Sequence, residues 1–430
     1  MRIPINWLAE YVDVIPGSTV ADIHAALVRV GLEEEGSHDF GLTGPIVVGE
    51  VLEFVEEPQS NGKTIRWCSV RVAPEGTKAL DGGEDVRGIV CGAGNFFVGD
   101  KVVVTLPGAV LPGDFVIAAR KTYGHVSDGM MASTRELGLG EEHDGILRLA
   151  ALGLDPVVGT DALGLLGLDD SAVEVNVTPD RGYAFSIRGI AREYAHSTGA
   201  AFRDPADAVS SPGGLQGFAV SIDDESPIRD RIGASVFVTR LVRGVDASRP
   251  TPAWMATRLK LAGIRSISLI VDITNYVMLE LGQPVHGYDF DRLAGGITVR
   301  RAQLGETLVT LDDVTRKLNR EDLVIADESG AIGLAGVMGG ASTEITDATT
   351  AVLVEAANFD PISIARTARR HKLPSEASRR FERGVDPSVA AAAAARVVQL
   401  LTELAGGTAD AVGSEHAEHP DLADVFLPDG

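Results

Sequence analysis

The sequence predicts a multidomain α+β chain: a small α/β module interrupted by a β-rich insert, followed by a larger α/β unit. Three observations predict it. Capped helix signals occur near the start and again after residue 160. Residues 46–149 lose those signals and become short β-rich runs punctuated by Gly and Pro. From 218 to about 385, strand and helix patterns alternate. A length of 430 residues leaves room for two to four such units, each with its own core.

The first helix is announced by Thr19 and Asp22 at capping-box spacing, an apolar stripe of Ile23, Ala26, Leu27 and Val30, and Gly31 as the stop. The runs IVVGEVLEFV, TIRWCSVRV, GIVCG, KVVVTLP and FVIAA then suggest a small barrel, with the oligonucleotide-binding barrel as the candidate. The stretch APEGTKALDGGEDVR reads as a hairpin excursion from it. VEVNVTP reads as a strand and Ser186 to Thr198 as a helix, and the Pro-, Gly- and Ser-rich text at 203–217 reads as a linker. The expected units are therefore 1–40 with 151–200, an inserted barrel at 41–150, an α/β unit at 210–400, and 401–430 as a tail or the start of a further module. Within the third unit, FAVSI, ASVFVTRLV, GITVRRA, DLVIAD and AVLVEAA read as strands, with helices near 252–262 and 361–371. A long alanine-rich helix follows, with Asp386 as N-cap, Pro387 in the first turn and Gly406-Gly407 at its end. The last stretch is polar and acidic and does not read as the end of a packed domain.

Composition narrows the function classes. An apolar fraction of 45% is ordinary for a globular protein. No run of about 18 apolar residues is present to cross a bilayer, and the N-terminus lacks a signal-peptide core. Cys68 and Cys91 have no metal-ligand spacing and fit a reduced, cytoplasmic compartment, so neither a metal nor a membrane is expected. A net charge of −23 argues against a general polyanion binder but leaves room for a local basic patch. Arg366, Arg369, Arg370, Lys372, Arg379, Arg380 and Arg383, with His371, form one in sequence. It is open to two readings, a nucleic-acid contact or a solvated helix face.

Residues 271–290, VDITNYVMLELGQPVHGYDF, set Asp272, Thr274, Asn275, Tyr276, Gln283, His286, Tyr288 and Asp289 into an apolar run. Polar groups in such a setting need partners, which points either to a buried hydrogen-bond network or to a pocket. Arg265 just upstream and the polar-glycine segment LAGVMGGASTE at 334–344 favour a pocket. The glycines at 333, 336, 339 and 340 do not form a phosphate loop, because no GxxxxGK[ST] pattern is present. GxSxG and HExxH are also missing, and Arg380-Phe381-Glu382 is too short a match to an R-x-E nucleotide site to count.

Several longer segments are recognisable: NWLAEYV, IVCGAGNFFVGDKVVVTLPGAVLPG, SDGMMASTRELGL, NVTPDRGYAFSIRGIARE, GIRSISLIVDITNYVMLELGQPVHGYDFDRL, LAGVMGGASTEI and SEASRRFERGVDP. In this order, from residue 1 to about 405, they resemble the N-terminal half of the β subunit of bacterial phenylalanyl-tRNA synthetase. The resemblance implies an oligonucleotide-binding-fold domain at 41–150, inserted in the small α/β module and expected to bind tRNA. It also implies an α/β editing domain of the B3/B4 type at 210–400. It implies a subunit about twice this length, of which this chain is expected to be a fragment, paired with a catalytic α subunit as an (αβ)₂ heterotetramer that charges tRNA(Phe) with phenylalanine. The complete enzyme is expected to need ATP and Mg²⁺, and this fragment to hold neither.

What the resemblance assigns to this part is editing. A pocket built for phenylalanine cannot strongly reject tyrosine, which only adds a hydroxyl, so a second site hydrolyses Tyr-tRNA(Phe). The implied catalytic groups are His286, Glu355, Arg265, Gly339 and Ser375, with Thr274, Asn275, Pro284 and Gly336 against the substrate. Glu355 would accept a hydrogen bond from the tyrosine hydroxyl, and Gly339 would allow close backbone approach. His286 is open as a base, a water-positioning group or a ribose contact, of which water and substrate positioning is favoured. Ser375 stands where threonine is commoner and keeps the hydroxyl. Arg265 is open to a structural ion pair with Asp272 or Asp289, and Glu355 to a surface position. A weaker expectation places tRNA on Arg366, Arg369, Arg370 and Lys372. The competing function is an inactive tRNA-binding and subunit-assembly module.

Overall fold

The computed structural model describes residues 1–140, 144–209 and 215–418. After a short helix, Ile5–Ala9, the expected helix Val20–Arg29 begins in a reciprocal Thr19/Asp22 capping box and buries Ile23, Ala26 and Leu27. It packs on an antiparallel three-stranded sheet ordered Arg2–Pro4, Ala172–Asn176, Glu33–His38. The outer strand EEEGSH carries no strand signal in sequence, because it lies at an edge and turns its carboxylates to solvent.

Between Glu33–His38 and Ala172–Asn176 the chain leaves to build an antiparallel half-barrel. Its five strands run Met130–Met131, Lys101–Thr105, Ile46–Pro58, Thr64–Arg71, Val86–Cys91. Alternate residues such as Val47, Val51, Cys68, Val70, Val102 and Val104 fill its interior.

The remaining chain builds two five-stranded sheets. The first is ordered Gln216–Gly217, Thr408–Ala417, Ala234–Arg243, Ala351–Phe359, Val285–Asp289. Its central strands alternate cleanly. Val236, Val238, Val242, Val352, Val354 and Ala356 face the helices Leu269–Leu281 and Ala390–Ala405. Phe237, Leu241, Leu353, Ala357 and Phe359 face the second sheet. That sheet is ordered Val220–Asp223, Ile297–Arg301, Leu323–Asp327, Gly330–Leu334, Met338–Gly339. The apolar stretch Pro387–Ala405, long enough by composition to span a membrane, is 56% buried within the protein. Its alanines let it lie close against the sheet.

The acidic end of the chain departs from expectation. Thr408–Ala417 is a strand inside the first sheet, paired to Ala234–Arg243. Its side chains are mostly exposed, so its composition is that of a loop although its backbone is in a ladder. The rest of the expected tail, 419–430, lies outside the described residues, as does 210–214 of the expected linker.

Candidate functional site

The helix Leu269–Leu281 ends at Gly282 with φ +80°, a left-handed position that suits glycine. The buried Gln283 side chain then donates to the carbonyls of Pro284 and Ala357, pinning the following strand to its neighbour. Antiparallel register sets His286 directly opposite Glu355, and Glu355 opposite Thr239. Residues opposite one another share a face, so these three side chains form a polar row across the sheet face that meets the second sheet.

Above the row sits a cavity of about 230 Å³. Pro284, His286, Tyr288 and Glu355 line it from the first sheet, the turn 333–339 from the second, and Ala377 and Phe381 from a short helix. Gly336 takes φ +65°, and a Cβ there would lie 2.8 Å from the Phe381 ring and 3.0 Å from Phe359. A Cβ on Gly339 would lie 2.6 Å from His286 Cε1 and 2.8 Å from Nε2, so the imidazole occupies the space that this glycine vacates. Ser375 caps the helix Glu376–Phe381 by accepting from Ser378 N, and its hydroxyl donates to the Val337 carbonyl at 2.9 Å. It thereby ties the glycine turn to the short helix. Two amides of this segment are already engaged: Val337 N donates to Leu334 O and Gly340 N to Ile332 O.

The electrostatics follow from burial. Glu355 is 6% exposed, and loss of water pushes its carboxyl up to about 7, against the opposing hydrogen bond from the Tyr288 hydroxyl. Burial lowers His286 to about 4, so the imidazole is neutral at neutral pH. The Tyr288 ring meets His286 edge to face, with centroids 4.6 Å apart.

His286, Glu355, Gly339, Pro284 and Gly336 thus converge, with Ser375 behind the turn. Arg265, Thr274 and Asn275 do not join them. Arg265 lies exposed before the helix and lines a separate cleft of about 900 Å³ with Arg2, Arg249 and Lys260. Among the described residues it forms no ion pair, and Asp272 is engaged instead by Thr251, Ser266 and the amide of Ile267. Thr274 donates back to Val271 O within its own helix, and neither it nor Asn275 reaches the cavity wall. The reason is geometric: a helix advances about 1.5 Å per residue, so closeness in sequence to His286 becomes distance along the helix axis. Tyr276 is structural, stacked on Trp7 at 4.3 Å.

Two contributors had no sequence signal. Leu311 sits at the tip of the hairpin Thr307–Lys317 and lines the cavity, its amide donating to Gly339 O at 3.1 Å. Thr239 is fully buried, and its hydroxyl has no hydrogen-bond partner among the described residues.

The basic segment is mostly neutralised. Arg366 pairs with Glu321, Arg370 with Glu321 and Asp322, and His371 with Asp322. Arg380 is buried against Glu376 and the Phe185 carbonyl, which makes Arg380-Phe381-Glu382 part of the packing. Among the described residues, Arg369 and Lys372 alone of the four expected tRNA contacts have no ion-pair partner.

Two facing sheets with a mostly apolar cavity between them define the class: residues 233–406 match the B3/4 domain. Over its whole length the chain is 77% identical to a phenylalanine–tRNA ligase beta subunit from Leifsonia xyli subsp. xyli, covering 100% of this chain and 51% of that one. It is 54% identical to the beta subunit of Streptomyces avermitilis, over 96% of this chain and 48% of the relative. The chain belongs with the N-terminal half of bacterial-type phenylalanyl-tRNA synthetase β subunits, and spans about half the length of the curated relatives it matches. A crystal structure of an N-terminal fragment of the phenylalanyl-tRNA synthetase beta-subunit from Pyrococcus horikoshii matches with TM-score 0.33 and 13% identity, over 63% of this chain and 76% of that one.

Proposed function

We propose that the cavity at His286 and Glu355 is an editing site that hydrolyses Tyr-tRNA(Phe). The observation that carries this reading is a buried carboxylate in a small apolar cavity, already accepting a hydrogen bond from one tyrosine hydroxyl, that of Tyr288. At about 230 Å³ the cavity lies below the range of sites for drug-sized ligands and suits a single side chain. Tyrosine offers Glu355 a hydroxyl, and phenylalanine would leave that oxygen unpartnered in a dry site. The group that a phenylalanine pocket tolerates is thus the group that this pocket rewards.

His286 serves the reaction as a neutral imidazole. With basicity lowered to about 4 it is a weak proton acceptor, so its role is to hold and orient the attacking water rather than to ionise it outright. Val337 N and Gly340 N are engaged within the turn, and the glycines contribute shape and close approach.

The same reading takes the complete protein to be the β subunit of an (αβ)₂ ligase that charges tRNA(Phe) with phenylalanine, using ATP and Mg²⁺ in the cytoplasm. Among the described residues no three His, Cys, Asp or Glu side chains are grouped to hold an ion, and the glycine turn carries no lysine.

The test is deacylation by the purified chain. Tyr-tRNA(Phe) should be hydrolysed and Phe-tRNA(Phe) spared. Glu355→Ala should lose about tenfold or more of that preference, the equivalent of one hydrogen bond to a charged group, and His286→Ala should slow both esters. Equal rates for the two esters in the unmodified chain would overturn the proposal.

A further inference from the structure

We propose that Tyr288 is a positioning and specificity-determining residue for this cavity, a resident phenol that fixes Glu355 as the acceptor for an incoming hydroxyl. The proposal rests on the editing reading above.

Three contacts point to it. Tyr288 lies two residues beyond His286 on the same strand, so both project to the same face of the sheet. Its ring is 1% exposed and lines the cavity, and its hydroxyl donates to Glu355 Oε2. Its edge packs against the His286 ring at 4.6 Å and 84°. One side chain therefore touches both groups that the reaction needs.

The carboxylate is divided between two tasks. Oε2 is held by Tyr288, while Oε1 has no donor among the described residues, although Glu355 lines the cavity. A carboxylate accepts several hydrogen bonds at once, so the second oxygen stays available to a substrate phenol while the first is fixed. Without the resident donor the carboxyl would be free to rotate about its terminal torsion, and its proton would be held more tightly. Burial already raises Glu355 to about 7, and the Tyr288 hydrogen bond opposes that rise. Near neutrality Tyr288 thus biases Glu355 toward the acceptor form that distinguishes tyrosine from phenylalanine.

Tyr288→Phe tests this, because it keeps the ring and removes only the donor. Infrared titration of the chain, with the Glu355 band assigned by its loss in Glu355→Gln, should show the carboxyl midpoint moving up by about one unit, the tenfold change in proton affinity expected for one charge-assisted hydrogen bond. An unchanged midpoint overturns the proposal. In deacylation assays, the tyrosine-over-phenylalanine preference of Tyr288→Phe should fall at pH 7 and recover at higher pH. Loss of both rates in parallel would reduce Tyr288 to structural packing and also overturn the proposal. If the unmodified chain hydrolyses neither ester, the editing reading fails, while the infrared shift still decides whether Tyr288 sets the state of Glu355.

Discussion

Two residues on adjacent strands, His286 and Glu355, carry opposite consequences of the same burial. An imidazole is charged when protonated and a carboxyl when deprotonated, so the loss of water keeps both neutral over a wide range. For Glu355 the folded value, about 7, lies above its ordinary 4.5, so the folded state binds the proton more tightly. Its contribution to stability is complete below pH 4.5 and is lost as pH rises to about 7. For His286 the folded value, about 4, lies below 6.5, so its contribution is present above 6.5 and lost as pH falls toward 4. Glu355→Gln should therefore remove a downward slope in stability between about pH 4.5 and 7, measurable as a flatter urea-midpoint profile across that window. A profile unchanged from the unmodified chain would show that Glu355 ionises normally. Much of this site was legible in sequence. His286 and Gln283 stood out as polar groups in an apolar run, and Gly336 and Gly339 as glycines clustered beside it. The Tyr288–Glu355 contact was not, since 67 residues separate the partners and only strand register joins them. Arg265, Thr274 and Asn275 lie away from this cavity, because the helix between them carries neighbours along the chain apart.

At the level of elements, the helices that back the first sheet are held by a buried ionic network. Glu280, on Leu269–Leu281, is 1% exposed; it receives two hydrogen bonds from Arg396, on Ala390–Ala405, and one from the Tyr11 hydroxyl of the N-terminal module. Arg396→Ala leaves that carboxylate buried with Tyr11 alone and should cost about 3–5 kcal/mol, read as a lowered urea midpoint. Arg396→Met combined with Glu280→Leu should cost much less, because no charge is then stranded. Element boundaries were easiest to read where side chains enforce them, as in the Thr19 capping box and the Gly406 stop with φ +71°. The strands Glu33–His38 and Thr408–Ala417 were hidden because their exposed faces carry the composition of loops. Backbone ladders formed at the call of a neighbouring strand leave little trace in the residues themselves.

For the whole molecule, charge limits what the proposed tRNA contact can be. The chain carries −23, and most of its conspicuous basic cluster is paired internally with Glu321, Asp322 and Glu376. With only Arg369 and Lys372 unpaired among the four expected contacts, that cluster should contribute a slope of no more than about −2 to log affinity against log salt. Arg369→Ala with Lys372→Ala should flatten the measured slope by that amount. A further flattening on adding Arg366→Ala and Arg370→Ala would mean that the paired arginines are recruited to phosphates.

The cavity has a further consequence. Its walls come from 284–288, Leu311, Ile325, 333–339, 355–359 and 377–381, stretches that meet only when both sheets, the hairpin Thr307–Lys317 and the short helix are in place. No one of them can strip water from an imidazole. The lowered basicity of His286, about 4 in place of 6.5, is therefore a property of the assembled whole. Loss of any of these walls returns the ring toward ordinary titration, which makes this one side chain a gauge of whether the cavity is closed.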